Sequence, residues 1–270
     1  MAQPLNIVHK LLADVACKGL GELVHRAGKH IREVARVCAG EGAKIHCVTL
    51  GSAFNPEAVK DPEGYVQLLM NALDAAKFLG AKVVNHYCYH INLSENHDYA
   101  RMERYWLEPL RHAREIGVRL ALENEAHDGT RTPELMLDIL RHFDDEYFLT
   151  NYDATNYFHA SCEGYPAGYE ILKPYLGYVH LKNGCLHRPG ANQPEYNLGA
   201  PMSGHYAPGR IQYCPLPDGA VNIPGLLTRL AEDDSYSGVA SFEPHTQTDH
   251  VEEFYARESQ WLRSLGFFAE

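Results

Sequence analysis

Four residues that can bind a metal ion or move a proton lie at the carboxyl ends of four short apolar segments. They are Glu123 after RLAL, Asp153 after FLTNY, His180 within GYVHL, and Glu243 after GVASF. A carboxylate beside a buried apolar segment is costly unless it is paired or bound to a cation. Each residue alone is more readily a helix cap, a salt-bridge partner or a solvated group, whereas all four together predict a metal site.

Three carboxylates and one imidazole form a hard ligand set with mainly oxygen donors. Such a set suits manganese, magnesium, cobalt or zinc rather than copper or an iron–sulfur cluster. An ion of this kind can hold two neighbouring oxygens of a sugar, polarise the carbonyl and stabilise the enediolate formed when the adjacent proton leaves. Return of the proton gives isomerisation or epimerisation. Loss of a leaving group from the same enediolate gives a lyase.

Other polar residues are expected near these segment ends. Lys182 shares a strand face with His180 because the two lie two positions apart, and we expect it to neutralise a carboxylate or hold a substrate oxygen. His86, in VNHYCYHIN, is a candidate for catalysis, either through a hydrogen bond to the substrate or by moving a proton. Further candidates for substrate contact are His90, His127, Asn156 and Arg210. For each of these residues the alternative is a structural role, such as a salt bridge or a packed side chain.

The elements that must position these residues are short β-rich runs that alternate with stretches of helical spacing. The predicted strands are Lys44–Leu50, Lys82–Tyr87, Val118–Glu123, Phe148–Asp153, Gly177–Leu181 and Gly238–Glu243. The first five begin 38, 36, 30 and 29 residues apart, which is typical of βαβ units with parallel strands. The sequence therefore predicts an α/β fold of the (β/α) TIM-barrel type, whose strand ends meet at one rim.

Helical segments separate the strands and carry clear end signals. Apolar residues recur at helical spacing over Pro62–Leu79 and Tyr99–Ile116, and each segment stops at a glycine. Thr132 and Asn222 are predicted to be N-caps because proline follows closely after each. A last helix is predicted at Val251–Leu265.

The chain is expected to form a single barrel domain over residues 1–270, with a long insertion at about 183–221. The insertion is rich in glycine, proline, asparagine, tyrosine and histidine. Loops that follow barrel strands lie on the catalytic face, so we expect this segment to cover the substrate. A plain surface excursion is the alternative.

The N-terminal part predicts a barrel that is apparently shortened. A complete barrel needs two more strands before residue 44, but residues 1–43 have mostly helical spacing. Either a short strand lies near Asn6–His9, or the barrel has an open edge that must be covered. A helix from residues 1–43 or a second subunit would cover it. We therefore expect a homo-oligomer or one half of a complex.

Composition limits the partners of the chain. Its 24 basic and 35 acidic residues give a net charge of −11, which disfavours a nucleic-acid partner. Its seven cysteines form no CxxC pair, which predicts reduced thiols and a cytoplasmic protein. The apolar runs are too short to span a membrane, and the first residues lack a signal-peptide core.

The segments ENEAH, TPELMLDIL, NYDATNY, GYVHLKNG and ASFEPH resemble the xylose isomerase-like TIM-barrel superfamily, the sugar phosphate isomerase and epimerase family. The resemblance covers about residues 44–265. It implies that a divalent ion, most often manganese (Mn2+), is held by four residues, which are Glu123, Asp153, His180 and Glu243. It also implies that Glu123 and Glu243 are the pair that removes and returns the proton. Relatives commonly have His where this chain has Glu125, and Asp where it has Asn183.

The resemblance implies a metal-dependent isomerase or epimerase that acts on a small sugar or keto-sugar. The alternative with the same site is a lyase, such as a C-glycoside deglycosidase or a keto-inositol dehydratase. The endonuclease branch of the superfamily is disfavoured by the net charge of −11. A non-enzymatic partner subunit is disfavoured because all four metal-ligand candidates are present.

Overall fold

The computed structural model describes residues 7–9, 31–190, 197–202, 209–233 and 236–267. Within these ranges the chain forms ten strands. In chain order they are β1 (Ile7–His9), β2 (Cys47–Thr49), β3 (Val83–Tyr87), β4 (Arg119–Glu123), β5 (Phe148–Asp153), β6 (Leu176–Leu181), β7 (Asn183–Leu186), β8 (Asn197–Met202), β9 (Gly209–Cys214) and β10 (Ala240–Phe242).

Helices connect these strands. In chain order they are α1 (31–40), α2 (Pro56–Lys60), α3 (Pro62–Leu79), α4 (Tyr99–Ile116), α5 (Pro133–Phe143), α6 (Ala154–His159), α7 (Tyr169–Leu172), α8 (Ile223–Glu232) and α9 (Val251–Ser264). None of the helices in the described ranges combines the length and apolarity that crossing a membrane requires.

Seven strands form a curled parallel sheet in the order β1-β10-β6-β5-β4-β3-β2. The predicted α/β fold of the TIM-barrel type is therefore confirmed. Helices cover the outer face, where Trp106, Phe148 and Leu110 are among the fully buried side chains. The inner face carries buried polar residues near the carboxyl ends of the strands, among them Asn85 and Asn151.

The N-terminal part supplies one strand more than the six that were clear from the sequence. β1 lies within the predicted Asn6–His9 region and pairs with β10. Among the described residues, no pairing joins β1 to β2, so the sheet is open between them. Of residues 1–43, residues 7–9 form β1 and residues 31–40 are helical, while residues 1–6 and 10–30 lie outside the described ranges. The expectation that this part closes the gap as a helix stays a prediction.

The helix end signals act as predicted. The Asp61 side chain caps α3, Pro62 occupies its first position, and Gly80 ends it at φ 77°, a left-handed conformation that suits glycine. The predicted bounds of α3 and α4 are confirmed, and Thr132 and Asn222 cap α5 and α8. By contrast, β2 and β10 are shorter than predicted, at three residues each.

The predicted insertion contains a small antiparallel sheet with the order β7-β9-β8. On one side, Ile211 and Tyr213 pack against Phe158 and Leu186. A separate cluster contains Cys185, Cys214 and Phe254 of α9. The sheet is anchored by Asn183, whose side-chain amide donates hydrogen bonds to the carbonyls of Leu216 and Val221.

Candidate metal centre

The register of the parallel sheet brings Glu123, Asp153, His180 and Glu243 to one rim. Glu123 ends β4 opposite Asn151, and Asp153 ends β5 opposite His180. Glu243 follows β10, where its N–H donates to the carbonyl of Leu181 at 2.9 Å. Neighbouring strands thus deliver all four side chains to the carboxyl end of the barrel, where TIM barrels place their sites. We call these four residues the rim cluster.

The rim cluster has the dimensions of a metal site. One potential ligand atom from each residue lies within 4.8 Å of the ligand atoms of the other three. Ligands 2.0–2.6 Å from a common ion lie at most about 5 Å apart, so the spacing fits. The Nδ1 atom of His180 lies 2.8 Å from Oε1 of Glu123 and 2.8 Å from Oε2 of Glu243.

Lys182 lies beside the rim cluster. Its Nζ atom is 3.0 Å from Oδ2 of Asp153 and 3.3 Å from Oε2 of Glu243. Burial lowers the pKa of Lys182, but Asp153 and Glu243 outweigh burial and raise it well above its usual value. The ammonium group therefore stays charged and neutralises part of the carboxylate charge. The predicted catalytic role of Lys182 stays a prediction.

The net negative charge of the buried cluster matches the charge of a divalent cation. Three carboxylates contribute −3 and Lys182 contributes +1, so two negative charges remain when His180 is neutral. A single N–H of His180 cannot satisfy two carboxylates that both lie at 2.8 Å. Buried charges of this kind need a counter-ion. The donor set and its charge therefore fit a divalent ion with oxygen-preferring chemistry.

Protonation inside the site follows from burial and charge. Burial and the neighbouring Glu243 raise the pKa of Glu123, yet His180 and Lys182 outweigh them and the pKa is lowered. For Asp153, burial dominates over Lys182 and raises the pKa. Burial and the negative Glu123 raise the pKa of Glu125 well above its ordinary value. Glu123 is therefore the carboxylate most firmly held in the ionised form among these three.

Amide side chains on the barrel interior hold Glu123 in place. Its Oε2 atom accepts hydrogen bonds from Asn85 at 2.7 Å and from Asn151 at 3.2 Å. The Asn85 amide also lies 3.1 Å from the hydroxyl of Tyr87. Glu123 is 1 % exposed, whereas Glu243 is 12 % exposed. The two carboxylates thus differ: Glu123 is fixed and enclosed, and Glu243 is partly exposed.

Asp153 serves two purposes. Its Oδ1 atom accepts from the backbone N–H groups of Thr155 and Asn156, which caps α6, and its Oδ2 atom faces Lys182. The side chain of Asn124 bonds both backbone groups of Asp153, and the Asn156 amide donates to the Asn124 carbonyl at 2.7 Å. Asn156 therefore supports the position of Asp153. Its predicted contact with the substrate stays a prediction.

The position of His86 corrects the expectation that it acts in catalysis. On β3, Asn85 and Tyr87 face Glu123, so His86 between them faces the helices. It is fully buried, and its ring lies edge-on to Trp106 at 5.4 Å and to Phe148 at 5.7 Å. Burial lowers its pKa to about 3, so this histidine is neutral.

The remaining predicted substrate contacts lie on the loops and the insertion. His90 lies between β3 and α4, with its ring perpendicular to that of Tyr89. His127 is exposed after β4 and lies 4.8 Å from the ring of His159. Arg210 is exposed on β9, where its carbonyl accepts from the N–H of His187. The roles of these three residues stay predictions.

Two residues near the cluster were missed in the sequence. Glu125 interacts electrostatically with Glu123, Lys182 and Glu243, and its spacing of two from Glu123 was the signal that could have found it. Tyr213 lies on the insertion with its ring 5.8 Å from the Nζ atom of Lys182. No local pattern predicts the latter contact, because it depends on how the insertion folds back.

Comparison with known proteins agrees with the barrel fold. A family model described as xylose isomerase-like TIM barrel matches residues 12–265. No curated protein sequence matches the chain. Solved structures do match it.

Three of these structures come from different organisms. A xylose isomerase-like TIM-barrel protein from Mycobacterium smegmatis, in complex with magnesium, has a TM-score of 0.65 at 20% identity, with 98% of this chain and 85% of that chain covered. A probable 3-DHS dehydratase from Bacillus anthracis has a TM-score of 0.63 at 13% identity, covering 89% and 83%. A 3-keto-D-glucoside 4-epimerase from E. coli has a TM-score of 0.59 at 14% identity, covering 87% and 85%. At these identities the likeness concerns the fold.

Proposed function

The chain belongs to the xylose isomerase-like TIM-barrel family, and we propose that it is a divalent-metal-dependent enzyme that isomerises or epimerises a small sugar or keto-sugar. The observation that carries the proposal is the rim cluster, in which four ligand atoms lie within 4.8 Å of one another at the carboxyl end of the barrel. Proton transfer next to a carbonyl is the chemistry that this combination suits.

The rim cluster would hold the ion. When bound, a divalent ion supplies a Lewis acid that polarises a substrate carbonyl and favours loss of the adjacent proton. We propose manganese, with magnesium, cobalt and zinc as alternatives, because the donor set is three carboxylates and one imidazole. The magnesium complex of the Mycobacterium smegmatis protein is in keeping with a hard ion.

The two glutamates would divide the proton transfer between them. Glu243 is the better base toward the substrate, because it is partly exposed while Glu123 is enclosed by Asn85 and Asn151. Glu123 would move a proton on the opposite face of the substrate, as the resemblance implies. Lys182, next to Oε2 of Glu243, would stabilise the ionised form of that carboxylate and donate a hydrogen bond to a substrate oxygen.

A lyase is the second candidate function. It shares the proton-removal step, after which a leaving group departs instead of a proton returning. The names of the matching structures include both a dehydratase and an epimerase, and the inserted sheet adds surface beside the site that would contact a larger substrate. A C-glycoside or a keto-inositol would then be the substrate.

We also propose the type of substrate, the oligomeric state and the location of the protein. A small molecule is favoured over nucleic acid because the net charge is −11. The open side between β1 and β2, as far as the described residues extend, supports a homo-oligomer or a partner subunit. Seven cysteines without a CxxC pair support a cytoplasmic location.

Solvent isotope exchange tests the proposed function. Manganese-loaded protein is incubated with a panel of keto-sugars in deuterated water, and products are analysed by NMR and mass spectrometry. An isomerase or epimerase incorporates deuterium next to the carbonyl and returns a sugar of the same composition, whereas a lyase releases a fragment or water. Glu243→Gln should abolish exchange while it retains an oxygen donor for the ion. Exchange that persists in this variant would contradict the role of Glu243.

A further inference from the structure

Two cysteines of the inserted sheet lie on the same face of adjacent strands. In the antiparallel register, Cys185 of β7 is opposite Gln212 and Cys214 of β9 is opposite Asn183. Residues directly opposite share a face, and so do residues two positions apart on one strand. Cys185 and Cys214 are therefore diagonal neighbours on one face, separated by 28 residues of chain that hold no CxxC motif.

The two side chains lie in one small cluster. The thiol of Cys214 donates a hydrogen bond to the sulfur of Cys185, and both side chains pack with Phe254 of α9. A disulfide requires the Cβ vectors of its partners to point toward each other over a short distance. The shared strand face, the common packing with Phe254 and the hydrogen bond between the two thiols place the side chains next to each other.

The surroundings of the two cysteines give them different exposure and different pKa values. Cys185 is half-buried, so a small oxidant reaches it, whereas Cys214 is buried. The hydrogen bond from Cys214 lowers the pKa of Cys185 to about 7. The same hydrogen bond, together with burial, raises the pKa of Cys214. Near neutral pH a large share of Cys185 is thiolate, which is the nucleophilic form.

We propose that Cys185 and Cys214 form an oxidisable dithiol, a redox modification site at which a hydroperoxide converts the pair to an intramolecular disulfide. Cys185 is the residue that attacks the oxidant, and Cys214 is the residue that resolves the product. The proposal concerns the inserted sheet alone and does not depend on the proposed function.

With hydrogen peroxide as the hydroperoxide, the reaction balances as follows. The Cys185 thiolate attacks one peroxide oxygen, so an S–O bond forms, the O–O bond breaks, and the departing hydroxide takes a proton to become water. The Cys214 sulfur then attacks the sulfenic acid of Cys185, so the S–S bond forms, the S–O bond breaks, and the thiol proton leaves with the hydroxide as a second water. Two thiols are oxidised and one peroxide is reduced.

The disulfide would lie on the face of the inserted sheet opposite the face that carries Tyr213. Tyr213 precedes Cys214 on β9, so its side chain points to the opposite face of the inserted sheet, where its ring lies 5.8 Å from the Nζ atom of Lys182. A covalent bond between β7 and β9 would fix the strand that carries Tyr213. Oxidation therefore acts on an element that contacts the rim cluster through Lys182.

The experiment uses the full chain and hydrogen peroxide as the probe. Reduced protein is treated with a small excess of peroxide, denatured and titrated for thiols, and its peptides are analysed by mass spectrometry. We expect the thiol count to fall from seven to five. A cross-linked peptide that contains Cys185 and Cys214, lighter by two hydrogens and released by dithiothreitol, should appear in the same sample.

Variants assign the two roles. Cys214→Ser should leave Cys185 as a sulfenic acid that dimedone traps, and Cys185→Ser should prevent rapid oxidation of Cys214. Cys162→Ser is the matched control, because Cys162 is also half-buried but donates to the carbonyl of Ala160, and it should oxidise like the wild type. Wild-type protein that keeps seven thiols, or that carries oxidised Cys185 without the cross-link, overturns the proposal. This measurement on the wild type stands even where a variant fails to fold.

Discussion

The ring of Tyr213 lies 5.8 Å from the Nζ atom of Lys182, so the inserted sheet contacts the group that neutralises the rim cluster. Tyr213 also packs against the ring of His245 at 4.5 Å, and its hydroxyl lies 3.2 Å from Nδ1 of His159. The insertion is thus connected to the barrel site by a buried aromatic side chain.

This contact predicts different costs for two substitutions of Tyr213. Tyr213→Phe keeps the aromatic face and loses only the hydroxyl contact with His159, so we expect it to lower the free energy of unfolding by about 1 kcal/mol. Tyr213→Leu also loses the cation–π contact and ring packing, and we expect about 2 kcal/mol more. Urea unfolding of the metal-free proteins measures both. Equal losses in the two variants would contradict the importance of the ring.

The ion pairs of Lys182 predict a large effect of its removal. Lys182→Met leaves Asp153 and Glu243 without their buried counter-charge, so we expect the metal-free protein to lose about 3 kcal/mol of unfolding free energy. The matched control is Lys173→Met, which removes an exposed ion pair with Glu170 and should cost less than about 1 kcal/mol. If both variants unfold at the same urea concentration, the buried pairs do not stabilise the protein.

Burial of His86 predicts a dependence of stability on acid. The pKa of His86 is lowered to about 3 in the folded protein, so the unfolded chain binds a proton that the folded protein does not. This contribution to stability is present above about pH 6.5 and is lost as the pH falls below it. At about pH 5 the wild type should lose about 2 kcal/mol that His86→Phe does not lose.

Unfolding profiles at neutral and acidic pH test this expectation for His86. The Phe variant should also bind manganese as the wild type does, because residue 86 faces the helices. Parallel pH profiles for the two proteins, or loss of manganese binding in the variant, would show that His86 has a different environment.

The sequence predicts the helices and strands better than the individual side-chain contacts. The bounds of α3 and α4 follow from Asp61, Pro62 and the terminal glycines, because caps act locally. The wrong expectation for His86 has a local cause as well. Side chains along β3 alternate between the two faces of the sheet, so His86 lies on the face opposite Asn85. The Cys185–Cys214 contact could not be predicted, because the antiparallel register of the insertion brings together residues that are 29 positions apart.

The rim cluster follows from the strand ends because parallel strands meet at one rim. What the spacing could not give is the difference between the two glutamates. Two amides from neighbouring strands enclose Glu123, while Glu243 extends beyond a strand of only three residues. Those contacts depend on the register of the whole sheet.

The most direct test of the account is the binding of manganese to chelator-stripped protein, measured by calorimetry and metal analysis. The account predicts a single ion per chain, with affinity at least about 100-fold weaker in Asp153→Ala. Glu125→Gln, which changes a nearby carboxyl outside the rim cluster, should bind within a few-fold of the wild type. Wild-type protein that binds no divalent ion, or an Asp153→Ala variant that binds one equally well, would contradict the metal site.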